Sequence, residues 1–279
     1  MSALTRGLVQ AAEAAEIAAF EDGMLAAPPA LAAAARIGCR RFGGVLLTHA
    51  AAIDVLMYNR VVGLGVEAPA DLAIVDEAEA RFRALGARRF MVTVAPLAEP
   101  AELEAWLGAR GFARHNHWIR LVRDLGAGSL PDARTDLRIA PLETGHAATF
   151  GRLEAAAFGH PPEVVAWNAA MVGRPGWTFC GAFAGDALVA AGALRVQGPA
   201  AWFGYAATDP AHRGRGGQSA IIAARLRAAR AAGCRWCVVE TAADTPEKPN
   251  PSTHNLRRLG FADAYERPNW VKVMQAPLH

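Results

Sequence analysis

Two distant stretches of this sequence share one residue pattern. Leu85-Gly86-Ala87-Arg88-Arg89-Phe90-Met91-Val92 parallels Ala232-Gly233-Cys234-Arg235-Trp236-Cys237-Val238-Val239. Each is followed by a helical pattern that closes on Gly-Phe: Ala109-Arg110-Gly111-Phe112 ahead of Trp118, and Arg258-Leu259-Gly260-Phe261 ahead of Trp270. Helix, strand, helix, Gly-Phe, strand thus occurs twice at matching separations, which predicts an internal duplication. Gly126 to Asp136 is the one convincing linker. The predicted division is residues 1–125, a linker at 126–136, and residues 137–279. A chain of 279 residues suits two domains of roughly 100–200 residues each.

Periodicity fills in the elements. In the first half, helices are predicted over 8–20, from Ala30, over 69–85 and over 100–109; strands are predicted over 43–47, 52–58, 89–94 and 112–122. In the second half, strands are predicted over 137–141, 177–183, 187–196, 201–207 and 235–240, with extended segments at the end through Trp270 to Val273. Helices are predicted there over 147–158, 162–171, 216–232 and 252–259.

Composition excludes several classes. At 53% hydrophobic and 20% charged the chain is not disordered. No apolar run reaches the ~18 residues of a membrane span. Glu13, Glu16, Glu21 and Asp22 interrupt any signal-peptide core, so a soluble, cytoplasmic protein is expected. Four cysteines are too few for a disulfide framework, and Cys234-x-x-Cys237 has no second ligand pair, so no metal is expected. A net charge of +3 does not argue for nucleic acid, and arginines on one helix face are ordinarily solvated. The distribution is more telling: between Asp209 and Glu240 there are six arginines (213, 215, 225, 227, 230, 235) and no acid.

That stretch opens with Ala206-Ala207-Thr208-Asp209-Pro210-Ala211-His212-Arg213-Gly214-Arg215-Gly216-Gly217-Gln218-Ser219, placed between an apolar strand and a helix. Its glycines let several N–H groups face one concavity. The helix start adds unpaired N–H groups and the positive end of its dipole, which suits a pyrophosphate. Arg213 and Arg215 can add charge-assisted hydrogen bonds. There is no Gly-Lys-Ser/Thr ending, and the glycine spacing is wrong for a dinucleotide fingerprint.

The pattern Asp-Pro-x-x-Arg-Gly-x-Gly between strand and helix, with Asn255-Leu256-Arg257-Arg258-Leu259-Gly260-Phe261 later, resembles the GNAT superfamily of N-acetyltransferases over about residues 137–273. The resemblance implies an α/β (α+β) fold built as two tandem GNAT folds, each a mixed, splayed β-sheet flanked by helices. It implies acetyl-CoA as co-substrate, its pantetheine along Tyr205, Ala206, Ala207 and Thr208 and its pyrophosphate on Arg213, Gly214, Arg215, Gly216, Gly217, Gln218 and Ser219, with Asn255 nearby. The acceptor implied is a primary amine of a small molecule or peptide; a homodimer is left open. Two departures stand out: Gln218 replaces a small residue, and Leu256 replaces the tyrosine that commonly protonates the leaving thiolate. Tyr205, Tyr265, Ser252 or a water is left as the acid. Glu240 reads either as base or ammonium ligand, or as a strand-end partner of an arginine; Glu154, His160 and His254 are weaker acceptor-side candidates. The missing tyrosine keeps a non-catalytic acetyl-CoA sensor or scaffold as the alternative. In the first half, Asn59 to Ala70 stands at the equivalent place with two glycines and no following arginine, which predicts a degenerate copy.

Overall fold

The computed structural model describes residues 4–247 and 249–274. Its described residues divide into two compact units: 120–264, and 4–119 together with 265–274. Helices α1 (Arg6–Leu25) and α2 (Pro29–Ala35) are followed by strands β1 (Ile37–Phe42), β2 (Val45–Ala50) and β3 (Arg60–Val62), helix α3 (Leu72–Ala84), strand β4 (Arg89–Thr93), helix α4 (Leu103–Ala109) and strand β5 (Ala113–Asp124). The second half adds β6 (Arg138–Pro141), α5 (Ala147–Phe158), α6 (Glu163–Ala169), β7 (Trp177–Ala184), β8 (Ala187–Gln197), β9 (Ala200–Thr208), α7 (Gly217–Ala231), β10 (Trp236–Ala242), α8 (Pro251–Arg258) and β11 (Ala262–Val273).

The N-terminal unit orders its strands β1-β2-β3-β4-β11-β5, with β11 entering from Tyr265 and β5 contributing up to Ile119. β2 runs antiparallel to β1 and β3, β3 parallel to β4, and β11 antiparallel to β4. Its core gathers Leu47, Val61, Phe82, Phe90 and Phe112, with Phe82 stacked on Phe90 at 4.4 Å. The C-terminal unit orders β5 (from Arg120)-β10-β9-β8-β7-β6, antiparallel from β6 to β9 and parallel between β9 and β10. Leu137, Ala182, Val189 and Ile221 form part of its core.

The repeat in the sequence reappears as repeated hydrogen bonding. α3 ends with Gly86 N–H donating to Arg83 O and Ala87 N–H to Phe82 O; α7 ends with Gly233 N–H donating to Arg230 O and Cys234 N–H to Ala229 O. The two Gly-Phe pairs do the same: Gly111 and Phe112 bond Gly108 O and Leu107 O, and Gly260 and Phe261 bond Arg257 O and Leu256 O. All four glycines have φ between 68° and 84°, so each closes its helix in the left-handed conformation that glycine adopts without strain. The residue after each is apolar and buried, which locks the helix end to the core.

One predicted element differs, and two strands arise where none was predicted. The strand expected over 52–58 is a tight turn ending in a 3-10 segment, Leu56–Tyr58. The buried Asn59 side chain organises it, accepting from Ala50 N–H at 2.9 Å and donating to Ile53 O at 2.9 Å. Two strands lie outside the predicted ones: the three-residue β3 (Arg60–Val62), and β1, whose Gly38-Cys39-Arg40-Arg41 lacks apolar alternation because none of its residues is fully buried.

Candidate functional site

Strands β9 and β10 pair in parallel only from Ala200–Trp236 to Phe203–Val239, while β9 continues to Thr208 and β10 to Ala242. Beyond Phe203 the two strands part. A bulge explains the divergence: Ala191 faces Ala207 and Ala193 faces Gly204, so Tyr205 and Ala206 together oppose Gly192. Tyr205 has φ 51°, a left-handed conformation costly for a side chain with a Cβ. Trp177, Phe179, Trp202 and Phe150 surround its ring at centroid distances of 5.6 to 6.2 Å.

A different helix holds each arm of the opening. On the β10 arm, Thr241 and Thr253 hydroxyls are 2.9 Å apart and Asn250 Nδ2 donates to Ala242 O at 3.0 Å, which fixes the arm to α8. On the β9 arm, Gln218 Nε2 donates to Ala207 O at 2.7 Å and to Ala191 O at 2.9 Å, which fixes it to α7.

The arm of β9 runs into the glycine loop. Asp209 caps the Pro210–His212 turn by accepting from Ala211 N–H at 2.9 Å. Gly214 and Gly216 then take φ 79° and 78° on either side of Arg215. No amide N–H from Gly214 to Ser219 has a hydrogen-bond partner among the described residues. Alternating left-handed residues leading into a helix start turn such amides toward one concavity. Gly217 is buried, and a Cβ there would stand 3.0 Å from Leu137, so smallness at this position lets the helix start sit close to the sheet.

The charges around the loop are partly committed. Arg213 is exposed, its backbone N–H donates to Pro210 O, and its guanidinium has no ion-pair or hydrogen-bond partner among the described residues. Arg215 pairs with Asp136, with Nε to Oδ1 at 3.2 Å, and its Nη1 lies 2.8 Å from His212 Nδ1. The Arg215 hydrogen bond holds the Asp136 carboxyl below its ordinary pKa. Thr135 Oγ1 donates to Arg215 O at 2.7 Å. Sequence order concealed this neighbour, because Asp136 lies outside the acid-free stretch. Arg225 is buried, and Arg230 donates to Leu125 O and Gly128 O. Among the described residues, the Arg213 guanidinium is thus left without an acidic partner at the loop.

Asn255 lies beside the loop: its Oδ1 accepts from Ser219 Oγ at 2.8 Å. Arg258, which the sequence reading passed over, donates to the same Oδ1 at 2.6 Å and lies 3.3 Å from Ser219 Oγ. Glu240 stands on β10 immediately after the last bridge to β9, its Oε2 3.6 Å from Nη2 of the fully buried Arg120. Leu256 is buried in the core, Ser252 is exposed, and His254 binds Asp244 at 2.8 Å. Glu154 is buried between α5 and α6, bonded to Asn168 and 3.5 Å from His160. Tyr265 sits in the N-terminal unit, where its hydroxyl donates to Glu13 Oε1 at 2.9 Å. The pairing of its strand with β4, across most of the chain, leaves no local trace in the sequence.

Cys234 and Cys237 are buried free thiols, and burial pushes the Cys237 thiol well above its ordinary pKa. Among the described residues no cluster of His, Cys, Asp and Glu could hold a metal, and no helix is long and apolar enough to cross a membrane.

No family profile and no curated protein matches the sequence. The fold does match solved structures. A GCN5-related N-acetyltransferase from Kribbella flavida superposes with a TM-score of 0.63 at 18% identity, covering 93% of this chain and 95% of that one. A tandem GNAT protein from the clavulanic acid biosynthesis pathway gives 0.58 at 19% identity, covering 84% and 81%. A GCN5-related N-acetyltransferase from Sphaerobacter thermophilus gives 0.60 at 13% identity, covering 84% and 78%. The chain therefore has the tandem GNAT fold, a mixed α/β architecture in two units.

Proposed function

We propose that the chain transfers an acetyl group from acetyl-CoA to a primary amine of a small molecule or peptide, using the site in its C-terminal unit. The observation that carries this reading is the run of unclaimed amides from Gly214 to Ser219 between an opened strand pair and a helix start. Those amides and Arg213 would hold the pyrophosphate, and the part of β9 beyond its last pairing with β10 at Phe203, up to Thr208, would pair with the pantetheine. Bound acetyl-CoA supplies an activated thioester carbonyl. A backbone N–H near Ala207 would hold the developing oxyanion, as such donors do in acyl transfer. Glu240, fixed beside Arg120, would orient the acceptor ammonium or take its proton, directly or through water. Tyr205 would supply a proton to the departing thiolate.

The N-terminal copy uses its equivalent loop for packing. Gly65 O accepts from Glu99 N–H at 2.9 Å, Ala70 N–H donates to Glu99 O at 2.7 Å, and a Cβ on Gly63 would stand 2.3 Å from Gly44 O. We assign it no acetyl-CoA site.

Isothermal titration with acetyl-CoA is expected to show one site per chain, and CoA release is expected with at least one member of an amine panel. No binding by the wild type would sink the reading. Binding without CoA release across the panel would favour the sensor or scaffold that the buried Leu256 allows. A related expectation concerns Asp136: Asp136→Asn removes the partner that competes for Arg215, so it should tighten acetyl-CoA binding, and weaker binding would show that the pair orders the loop instead.

A further inference from the structure

The departure at Gln218 belongs to a larger arrangement inside the C-terminal unit. Gln218 and Arg225 are seven residues apart on α7, two turns on one face. Gln218 donates to one carbonyl of β8 (Ala191) and one of β9 (Ala207) on one side of the bulge. Arg225 does the same on the other side, its Nη1 lying 2.8 Å from Ala193 O and 3.4 Å from Gly204 O. Between the two lies Gly192, directly against the guanidinium: a Cβ there would approach Arg225 Cζ to 2.9 Å. Arg225 is 2% exposed, lies over the Phe203 ring at 4.4 Å, and has no carboxylate partner among the described residues. Burial lowers its pKa to about 10, which still leaves it protonated at neutral pH.

An unpaired buried cation is expensive, and packing alone would be served better by an apolar residue. What the cation gains is a pair of carbonyls on two strands, at the place where an extra residue disrupts the ladder. We propose that Gln218 and Arg225 are positioning residues that clamp the bulge from both sides, holding Tyr205 in its left-handed conformation and so fixing the β9 arm against which the pantetheine of acetyl-CoA lies. This rests on the acetyl-CoA reading given above. Side-chain amide and guanidinium donors thus take the place of the small residue usual at 218, and Gly192 is the room left for them.

The test separates the arm from the loop with two ligands. Acetyl-CoA uses both; ADP carries the pyrophosphate and lacks the pantetheine. Gln218→Met and Arg225→Met keep volume and remove the donors, and Gly192→Ala displaces the guanidinium without altering it. Each is expected to weaken acetyl-CoA by about tenfold, 1.4 kcal/mol, while ADP affinity, read by competition, stays within about twofold of wild type. Gln218→Met, on a half-buried position, serves if the Arg225 variant does not fold. Unchanged acetyl-CoA affinity in Gln218→Met overturns the clamp, and so does a parallel loss of both ligands, which would mark a general loosening of the helix start. A wild type that binds no acetyl-CoA removes the acetyl-CoA reading itself and the clamp with it.

Discussion

Acetyl-CoA affinity is expected to fall about a hundredfold in Gly216→Val and ten- to a hundredfold in Arg213→Ala, by different routes. Gly216 has φ 78°, and a Cβ on it would stand 2.3 Å from Arg134 O, a backbone atom that cannot swing aside. A valine there meets the left-handed penalty of roughly 1–2 kcal/mol and a clash, so the segment must move. Its amides then no longer converge. Losing about three of them, at a net contribution near 1 kcal/mol each, gives the hundredfold. Arg213 is exposed and makes no contact whose loss would disturb the fold. Its removal should cost only the hydrogen bond to a charged ligand, about 1.5–3 kcal/mol. Being exposed, that contribution should shrink as salt rises, whereas the Gly216→Val loss should not. Titration at two salt concentrations, with a melting curve for each variant, checks both. Wild-type affinity in either variant would mean the pyrophosphate is held elsewhere.

Local signals in the sequence were readable because they are backbone requirements. The four Gly-terminated helix ends and the glycine loop each demand a residue that tolerates positive φ, so the residue type reports the geometry directly. The duplication was legible for the same reason. What escaped was everything decided by contacts between residues remote in sequence. Asp136 neutralises Arg215 from outside the arginine stretch, and Arg225, one of those arginines, turns inward to strand carbonyls instead of toward solvent. Gln218 looked like a mild departure from a pattern; its side chain proves to bridge two strands, which only the bulge between Ala191 and Ala193 makes necessary. The partner of Glu240, Arg120, carries no signal in the sequence, since its burial depends on β5 lying beside β10.

The largest loss of stability is expected from Glu16→Gln, in the N-terminal unit. Glu16 and Glu13, three residues apart on α1, are each 1% exposed. Glu16 Oε1 accepts from Arg60 Nη2 at 2.8 Å on β3, and Oε2 from Arg267 on β11; Arg267 also reaches Glu13 Oε2 at 3.2 Å. Both arginines are fully buried, and Arg60 lies 4.0 Å over the Phe20 ring. One carboxylate thus serves two buried guanidinium groups. Replacing it by a neutral amide leaves both cations desolvated with weaker acceptors, and breaking a buried pair in this way costs about 3–5 kcal/mol. For a unit of this size the melting midpoint should drop by roughly 10–20 °C. The network is costly to break rather than intrinsically stabilising, which yields a second expectation. Replacing Glu16, Arg60 and Arg267 together by methionine, with Glu13→Gln, removes the charges and keeps the volume, so it should cost less than Glu16→Gln alone. Urea unfolding of the two variants decides the matter. A single variant within 1 kcal/mol of wild type, or a combined variant less stable than the single one, would show that α1 is held by the apolar contacts of its Ile17 with Leu46 and Val62 and not by the buried charges.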